Sequence, residues 1–281
     1  MVQGTSRVYG IIGSPITHSL SPRMQNAALS AAGIDAVYVP FLVSPDQLGP
    51  AVAGLRALGV SGFNVTIPHK CAIMPFIDTI DSAALLAGAV NTVVWEKNGF
   101  TGYNTDGEGF VRSLSVDHGR SVSGQQVVVY GAGGAVRGVV AALARHGVSR
   151  ISIYNRTPRR SAELITSIAP HFPRVAFEQL SDRATLECRL ATTDLLLQGT
   201  SLGMHGEEVP ELNVALLPAE ALVYDMVYAP METPLIAAAR NRGLACQDGL
   251  GMLVGQGELA FSLWHGVLPP AGCMRSAVTI R

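Results

Sequence analysis

The sequence predicts an α/β protein of two domains built on mainly parallel sheets, and three observations carry that expectation. Short apolar runs alternate with helical stretches through the first third of the chain. A hydrophobic run near the middle turns through glycines into a helix. The 281 residues suffice for two cores of ordinary size.

Composition narrows the class. Hydrophobic residues make up 48% and charged residues 15%, as in a globular chain and unlike a disordered one. A formal charge of −1 argues against nucleic-acid or anionic-membrane partners. No apolar run approaches membrane-spanning length, and residues 1–7 hold one basic residue and no apolar signal core. Cys71, Cys188, Cys246 and Cys273 form no C-x-x-C pair, which fits reduced thiols in the cytoplasm and no metal site.

Residues 8–13 form a compact apolar run. Ser21-Pro22 reads as a helix start, Ser as N-cap and Pro at the first helical position, and that helix stops at Gly33. Strands are expected at 37–43 and 62–67 with a helix over 45–58 between them. Residues 90–95 and 100–103 flank Lys97-Asn98-Gly99, a hairpin-turn signal that adds an antiparallel pair. A short helix after Asp106 leads through a polar loop to strands at 127–130 and 151–154, then at 194–198 and 222–226. Residues 174–189 are poorly periodic and read as a short strand and turn. The last strong helix is expected over 251–264. Two α/β units joined near residues 105–109 is the simplest arrangement.

The run Val127-Val128-Val129-Tyr130-Gly131-Ala132-Gly133-Gly134-Ala135-Val136 is a strand passing through glycines into a helix. Glycines permit a tight turn and close approach to a pyrophosphate, and the N–H groups of a helix start face phosphate oxygens. Val136 stands where a third glycine is usual. The next strand ends in Asn155-Arg156-Thr157-Pro158-Arg159-Arg160, where a cofactor lacking a 2′-phosphate is usually held by a carboxylate. Guanidinium groups match a phosphate in shape and charge, so a Rossmann-like unit that prefers NADP is expected.

Polar residues crowd the strand ends of the first unit: Ser14 to Ser21, Asn64-Val65-Thr66-Ile67-Pro68-His69-Lys70, Asn91-Thr92 and Asn104-Thr105-Asp106. A small polyhydroxylated acid would need such a set. Lys70 reads as opening a helix, where a cation opposes the helix dipole, so its placement is not a folding preference. Asp106 could cap the helix that follows it. His69 is given no role.

Ser19-Leu20-Ser21-Pro22, Asn64 to Lys70, Ala87-Gly88-Ala89-Val90-Asn91-Thr92, Asn104-Thr105-Asp106-Gly107, the glycine loop, Asn155-Arg156-Thr157 and Asp248-Gly249-Leu250-Gly251-Met252-Leu253-Val254 together resemble the shikimate dehydrogenase family. Order and spacing match from residue 8 to about residue 269. The resemblance implies NADP-dependent reversible reduction of 3-dehydroshikimate to shikimate, in aromatic amino acid biosynthesis. It implies Lys70 and Asp106 as catalytic residues, the lysine mostly charged and the aspartate orienting it. It implies substrate contacts from Ser19 and Ser21 to the carboxylate, from Asn64, Thr66 and Asn91 to ring hydroxyls, and from Tyr228 and Gln256. Cofactor contacts fall on Gly131, Ala132, Gly133, Gly134, Ala135, Asn155, Arg156, Thr157, Arg160, Met226 and Gly249. Residues 1–106 with 250–281 become a discontinuous substrate-binding domain and 107–249 the NADP-binding domain, with the active site in the cleft between them and the protein a monomer or homodimer. Two departures stand out: Gln198-Gly199-Thr200 replaces the usual Asn-Ala-Thr, and the segment after Pro270 is short, so the last family helix is expected to be reduced or absent. A quinate or aminoshikimate paralogue and a non-catalytic ligand sensor are the competing readings. Both Lys70 and Asp106 are retained, which argues against the sensor.

Overall fold

Strand β1 (Arg7–Gly13) is buried over its last five residues and anchors the first sheet. The structure is a computed structural model and describes residues 2–97, 99–209 and 211–279. Contacts divide the chain into two units, Met1–Gly109 with Val254–Arg281, and Phe110–Leu253.

In the first unit β1 is followed by α1 (Ser21–Ala31), β2 (Ala36–Leu42), α2 (Leu48–Ala57), β3 (Gly62–Val65), β4 (Thr79–Ile80), α3 (Ser82–Ala87), β5 (Thr92–Glu96), β6 (Gly99–Tyr103) and the start of α4 (Asp106–His118). The sheet order is β2-β1-β3-β5-β6-β4. Strands β2, β1 and β3 run parallel, and the β5–β6 hairpin supplies the antiparallel pairs. The turn signal at Asn98 lies outside the described residues. Gly33, at φ +65°, ends α1 in the left-handed conformation that glycine tolerates best. The helix expected over 45–58 is divided: a 3-10 turn at Pro45–Gln47 precedes α2. Ile12, Phe63, Val93 and Phe100 lie at the centre of this unit's core.

The second unit contains the rest of α4, then β7 (Gln126–Tyr130), α5 (Gly134–Arg145), β8 (Arg150–Tyr154), α6 (Pro158–Ile168), β9 (Ala176–Leu180), α7 (Arg183–Leu190), β10 (Leu195–Gln198), β11 (Leu222–Asp225), α8 (Pro234–Asn241), β12 (Ala245–Gln247) and the first turn of α9 (Leu250–His265). Its six strands are all parallel in the order β12-β11-β10-β7-β8-β9. Numbered within the unit this is 6-5-4-1-2-3, the doubly wound order of dinucleotide-binding folds. Val128, Leu196 and Val223 stand in register on neighbouring strands and are buried in one core with Leu186 and Leu190 of α7 and Leu235 and Ala239 of α8.

Two expectations are corrected. Residues 174–189 contain a strand and also most of helix α7, which a capping box starts: Asp182 accepts from the Thr185 N–H and Thr185 Oγ1 accepts from the Asp182 N–H. Only Leu186 and Leu190 are buried along α7, so its hydrophobic period is too sparse to read. The C-terminal helix also forms, as α10 (Cys273–Thr279). Its Met274 is fully buried and the helix packs on α1.

Candidate active site

In the first unit the chain leaves β1 for α1 and β2 on one side, and later reaches β3 on the other. Loops leaving the carboxyl ends of β1 and β3 diverge at such a switch point and open a crevice, where open α/β sheets take ligands. Those loops carry Ser19 and Thr66-to-Lys70.

Lys70 and Asp106 meet there. Lys70 Nζ lies 2.5 Å from Asp106 Oδ2, with the side chains 13% and 4% exposed, so neither charge has water as its main partner. The Lys70 carbonyl accepts the Val90 N–H at 2.8 Å, fixing this loop beside Asn91. Asn91 Nδ2 donates to Asp106 Oδ1 and to Thr105 Oγ1, both at 2.9 Å, and Asn91 Oδ1 accepts the Thr105 N–H at 2.8 Å. Asn91 therefore orients the carboxylate, whatever it also offers a ligand.

Three local expectations change. No α-helix follows Lys70: residues 70–73 form turns leading to a 3-10 turn at Met74–Phe76. Pro75 lacks the donor a continuing helix needs, so the dipole argument for Lys70 lapses. Asp106 is the first residue of α4, and its carboxylate faces Lys70 and Asn91; it is Asn104 Oδ1 that accepts the Asp106 N–H, at 3.1 Å. Ser21 is likewise the first residue of its helix. The cap position is Leu20, in helical conformation.

Tyr38, on β2, is buried and reaches one of the expected substrate residues, Asn64. Its hydroxyl donates to Asn64 Oδ1 at 2.7 Å, while burial pushes its phenol well above the usual range. Asn64 Nδ2 donates to the Asn91 carbonyl at 3.1 Å and to Thr92 Oγ1 at 3.0 Å, and Thr92 Oγ1 reaches Asn91 Oδ1 at 3.0 Å. One continuous polar chain thus runs Tyr38–Asn64–Thr92–Asn91–Asp106–Lys70. Ser19 Oγ accepts the Ser21 N–H at 3.3 Å. Thr66 is half-buried and packs on Gly13, where a Cβ would lie 2.4 Å from Thr66 Cγ2. Gln256 is half-buried on α9, its backbone nitrogen 2.4 Å from where a Cβ on Gly109 would stand, one turn along α4 from Asp106. His69 is buried and its Nε2 bonds the Val43 carbonyl at 2.7 Å, an anchor for the loop.

In the second unit the glycine loop joins β7 to α5. Gly131 has φ +119°, and a Cβ on it would come within 3.0 Å of Thr200 Cγ2. A Cβ on Gly133 would meet nothing within 4 Å, so the loop presents bare backbone to open space ahead of the α5 N-terminus, flanked by Ala132, Gly134 and Ala135. This cradle fits a pyrophosphate. Asn155, Arg156, Thr157 and Arg160 follow β8, the neighbouring strand. Asn155 Nδ2 donates to the Thr157 carbonyl at 2.8 Å, and Arg156 and Arg160 are exposed. Arg159 instead pairs with Glu163 at 2.6 Å. Met226 and Gly249 touch: a Cβ on Gly249 would lie 2.1 Å from the Met226 carbonyl oxygen, so only glycine fits. Tyr228 is half-buried just beyond β11, its phenol pushed up by burial.

Residues 11–93 match the model of the shikimate dehydrogenase substrate binding domain, residues 113–202 that of shikimate / quinate 5-dehydrogenase, and residues 249–279 that of the shikimate 5′-dehydrogenase C-terminal domain. A relative named shikimate dehydrogenase (NADP(+)), from Geobacter metallireducens, is 51% identical over 99% of this chain and 97% of its own length. The chain belongs to the shikimate dehydrogenase family. A crystal structure of a shikimate dehydrogenase in complex with NADP+ has a TM-score of 0.90 at 38% identity, covering 99% of this chain and 96% of the other. The Thermus thermophilus enzyme in complex with NADP(H) and shikimate has a TM-score of 0.86 at 33% identity, covering 96% and 98%.

Some residues that shape these sites were given no role from the sequence. Tyr38, Thr92 and Thr105 complete the polar chain; a tyrosine within an apolar strand was the available signal, because a buried phenol needs a partner. In the second unit Gln198 is fully buried, and its Nε2 donates to the Leu202 carbonyl at 2.8 Å and to Asp225 Oδ1 at 3.3 Å. Its Oε1 accepts the Thr200 N–H. The Gln198-Gly199-Thr200 departure thus ties the following loop to a buried carboxyl, which also accepts from Thr233 Oγ1 at 2.7 Å and the Val227 N–H at 3.0 Å. Among the described residues no cluster of three His, Cys, Asp or Glu could hold a metal, and no helix is long and apolar enough to cross a membrane.

Proposed function

We propose that this chain catalyses the NADP-dependent, reversible reduction of 3-dehydroshikimate to shikimate, a step of aromatic amino acid biosynthesis. The observation that carries the reading is the buried Lys70–Asp106 pair at 2.5 Å, set at the sheet switch point of a shikimate dehydrogenase family chain. NADPH, when bound, supplies the hydride; the protein's residues do the rest.

On this reading the Lys70 ammonium donates the proton to the developing alkoxide of the substrate carbonyl, and takes it back in the oxidation direction. Asp106, held by Asn91, fixes the ammonium and accepts from a neighbouring substrate hydroxyl. Ser19 and Ser21 hold the carboxylate; Asn64, Thr66 and Asn91 meet ring hydroxyls, with Gln256 and Tyr228 as further contacts. A proton-transfer group placed this way contributes about 10²–10⁴-fold in rate. The backbone of residues 131–135 would cradle the pyrophosphate, Asn155, Arg156, Thr157 and Arg160 the 2′-phosphate ribose, and Met226 and Gly249 the nicotinamide. The unit Met1–Gly109 with Val254–Arg281 is then the substrate-binding domain and Phe110–Leu253 the NADP-binding domain. The four free thiols suit a cytoplasmic setting, as monomer or homodimer.

The test follows NADPH absorbance with 3-dehydroshikimate, then shikimate and quinate oxidation with NADP and NAD. Turnover of the shikimate pair with NADP is expected. Preference for quinate would assign a paralogue, and no turnover on any pair a ligand sensor.

A further inference from the structure

Gln198 and Asp225 end neighbouring strands, stand opposite each other in the β10–β11 register, and are both fully buried. A buried amide and a buried carboxyl each need partners, and both have them here. Gln198 Nε2 donates to the Leu202 carbonyl at 2.8 Å and to Asp225 Oδ1 at 3.3 Å, while Oε1 accepts the Thr200 N–H. The reverse amide orientation would set Oε1 against two acceptors and the NH2 group against an N–H donor, so the side chain has one arrangement. Asp225 Oδ1 also takes the Val227 N–H at 3.0 Å. Its Oδ2 takes the hydroxyl of Thr233, the N-cap of α8, at 2.7 Å.

These bonds end on two backbone segments beside the cofactor residues named above. On one side, a Cβ on Gly131 would come within 3.0 Å of Thr200 Cγ2, so residues 199–202 abut the first glycine of the cradle. On the other, the Met226 N–H donates to the Gln198 carbonyl at 2.8 Å, and Met226 Sδ lies 3.2 Å from where a Cβ on Gly199 would stand. The Val227 carbonyl accepts the Gly249 N–H at 3.0 Å. Gln198 and Asp225 are themselves closed to a ligand, so whatever they do for one passes through these segments.

We propose that Gln198 and Asp225 are positioning residues for the cofactor: as one buried clamp they set the spacing between residues 199–202 and Met226-Val227, and with it the placing of the nicotinamide. The inference rests on the reading that Met226 and Gly249 meet that ring.

The experiment measures Kd for NADP, NAD and shikimate, each alone, by calorimetry, with kcat and the melting temperature, for wild type, Gln198→Met, Asp225→Leu and Asp225→Asn. Gln198→Met and Asp225→Leu should raise Kd for NADP and for NAD by the same factor, about tenfold, because the 2′-phosphate is assigned to residues after β8. Both should lower kcat about tenfold, with a larger isotope effect from NADPH deuterated at the transferred hydride, while shikimate affinity holds. Asp225→Asn should stay within about twofold of wild type, since its oxygen still takes the Val227 and Gln198 donors and its NH2 group can give to Thr233. A merely structural loss would lower shikimate affinity and the melting temperature together and leave the isotope effect alone. Should Gln198→Met fail to fold, Gln198→Glu carries the test: its second oxygen meets the Leu202 carbonyl and Asp225 as acceptor against acceptor, and NADP affinity should fall likewise. Unchanged NADP affinity and isotope effect in the Gln198 variant, or a loss for shikimate equal to that for NADP, overturns the positioning alone. A wild type that binds neither NADP nor NAD overturns the cofactor reading as well.

Discussion

Lys70 and Asp106 are both nearly enclosed, so removing one leaves the other without its partner. On the proposed mechanism Lys70→Ala lowers kcat by about 10²-fold or more while shikimate affinity changes by a modest factor. Steady-state kinetics with direct binding would show it, and an unchanged kcat would remove Lys70 from proton transfer. Two other buried groups make stability depend on pH with opposite signs. Asp225 is pushed up to about 6, mainly by burial, so its folded form binds a proton more tightly than the unfolded chain does. The stability this gives is complete below the usual carboxylate range and is lost as pH rises through about 6. His265 is pushed down to about 4 by burial and by Arg7, and neither of its ring nitrogens has a hydrogen-bond partner. Its neutral form is favoured on folding, so stability falls as pH drops from the ordinary histidine range towards 4. Melting curves from pH 4 to 8 should show His265→Phe losing less on the acid side than wild type, and Asp225→Asn losing less between pH 4 and 7. Parallel curves would dismiss both assignments.

At the scale of elements, the proposed function assigns the cofactor preference to the β7–α5 and β8–α6 junctions. Arg156 and Arg160 are exposed at the second junction, and Arg159 is paired with Glu163. Changing Arg156 and Arg160 to alanine should raise KM for NADP far more than for NAD; equal effects would count against a 2′-phosphate contact. Two departures in this unit, Val136 from the usual dinucleotide-binding glycine pattern and Gly199 from the family's Asn-Ala-Thr, explain each other. A Cβ on Gly199 would lie 2.3 Å from Val136 Cγ2, so the valine that replaces the third glycine fills the space of an alanine methyl at position 199. Gly199→Ala should destabilise by about 1–3 kcal/mol through overpacking, and adding Val136→Ala should recover most of that loss. Thermal denaturation of the two single variants and the double variant checks it; additive losses would mean the positions are independent.

For the whole molecule the proposed roles divide by unit, and that division can be measured. Shikimate alone should protect amides at residues 14–22, 64–73 and 91–106 from hydrogen exchange, and NADP alone those at 129–137 and 154–161. Protection in the opposite segments would reverse the roles assigned to the two units. Much of this was legible in the chain. The glycine turn, the basic strand end and the parallel-strand alternation are local patterns, and each reappears at its expected place. Helix α7 was not legible, because a cap and not a hydrophobic stripe defines it. Nor were the Ser21, Lys70 and Asp106 environments: serine and aspartate at a helix start are good folding residues in their own right, and the turns after Lys70 read as a helix.

The sequence alone determined the residue types at the strand ends and the order of the strands, because backbone geometry, glycine conformation and apolar periodicity act over short stretches. Only the tertiary structure decided which of those side chains meet. Lys70, Asn91 and Asp106, like Tyr38 and Asn64, are brought together by sheet order, and the partner of a buried hydrogen-bonding group is fixed by packing between strands distant in the chain.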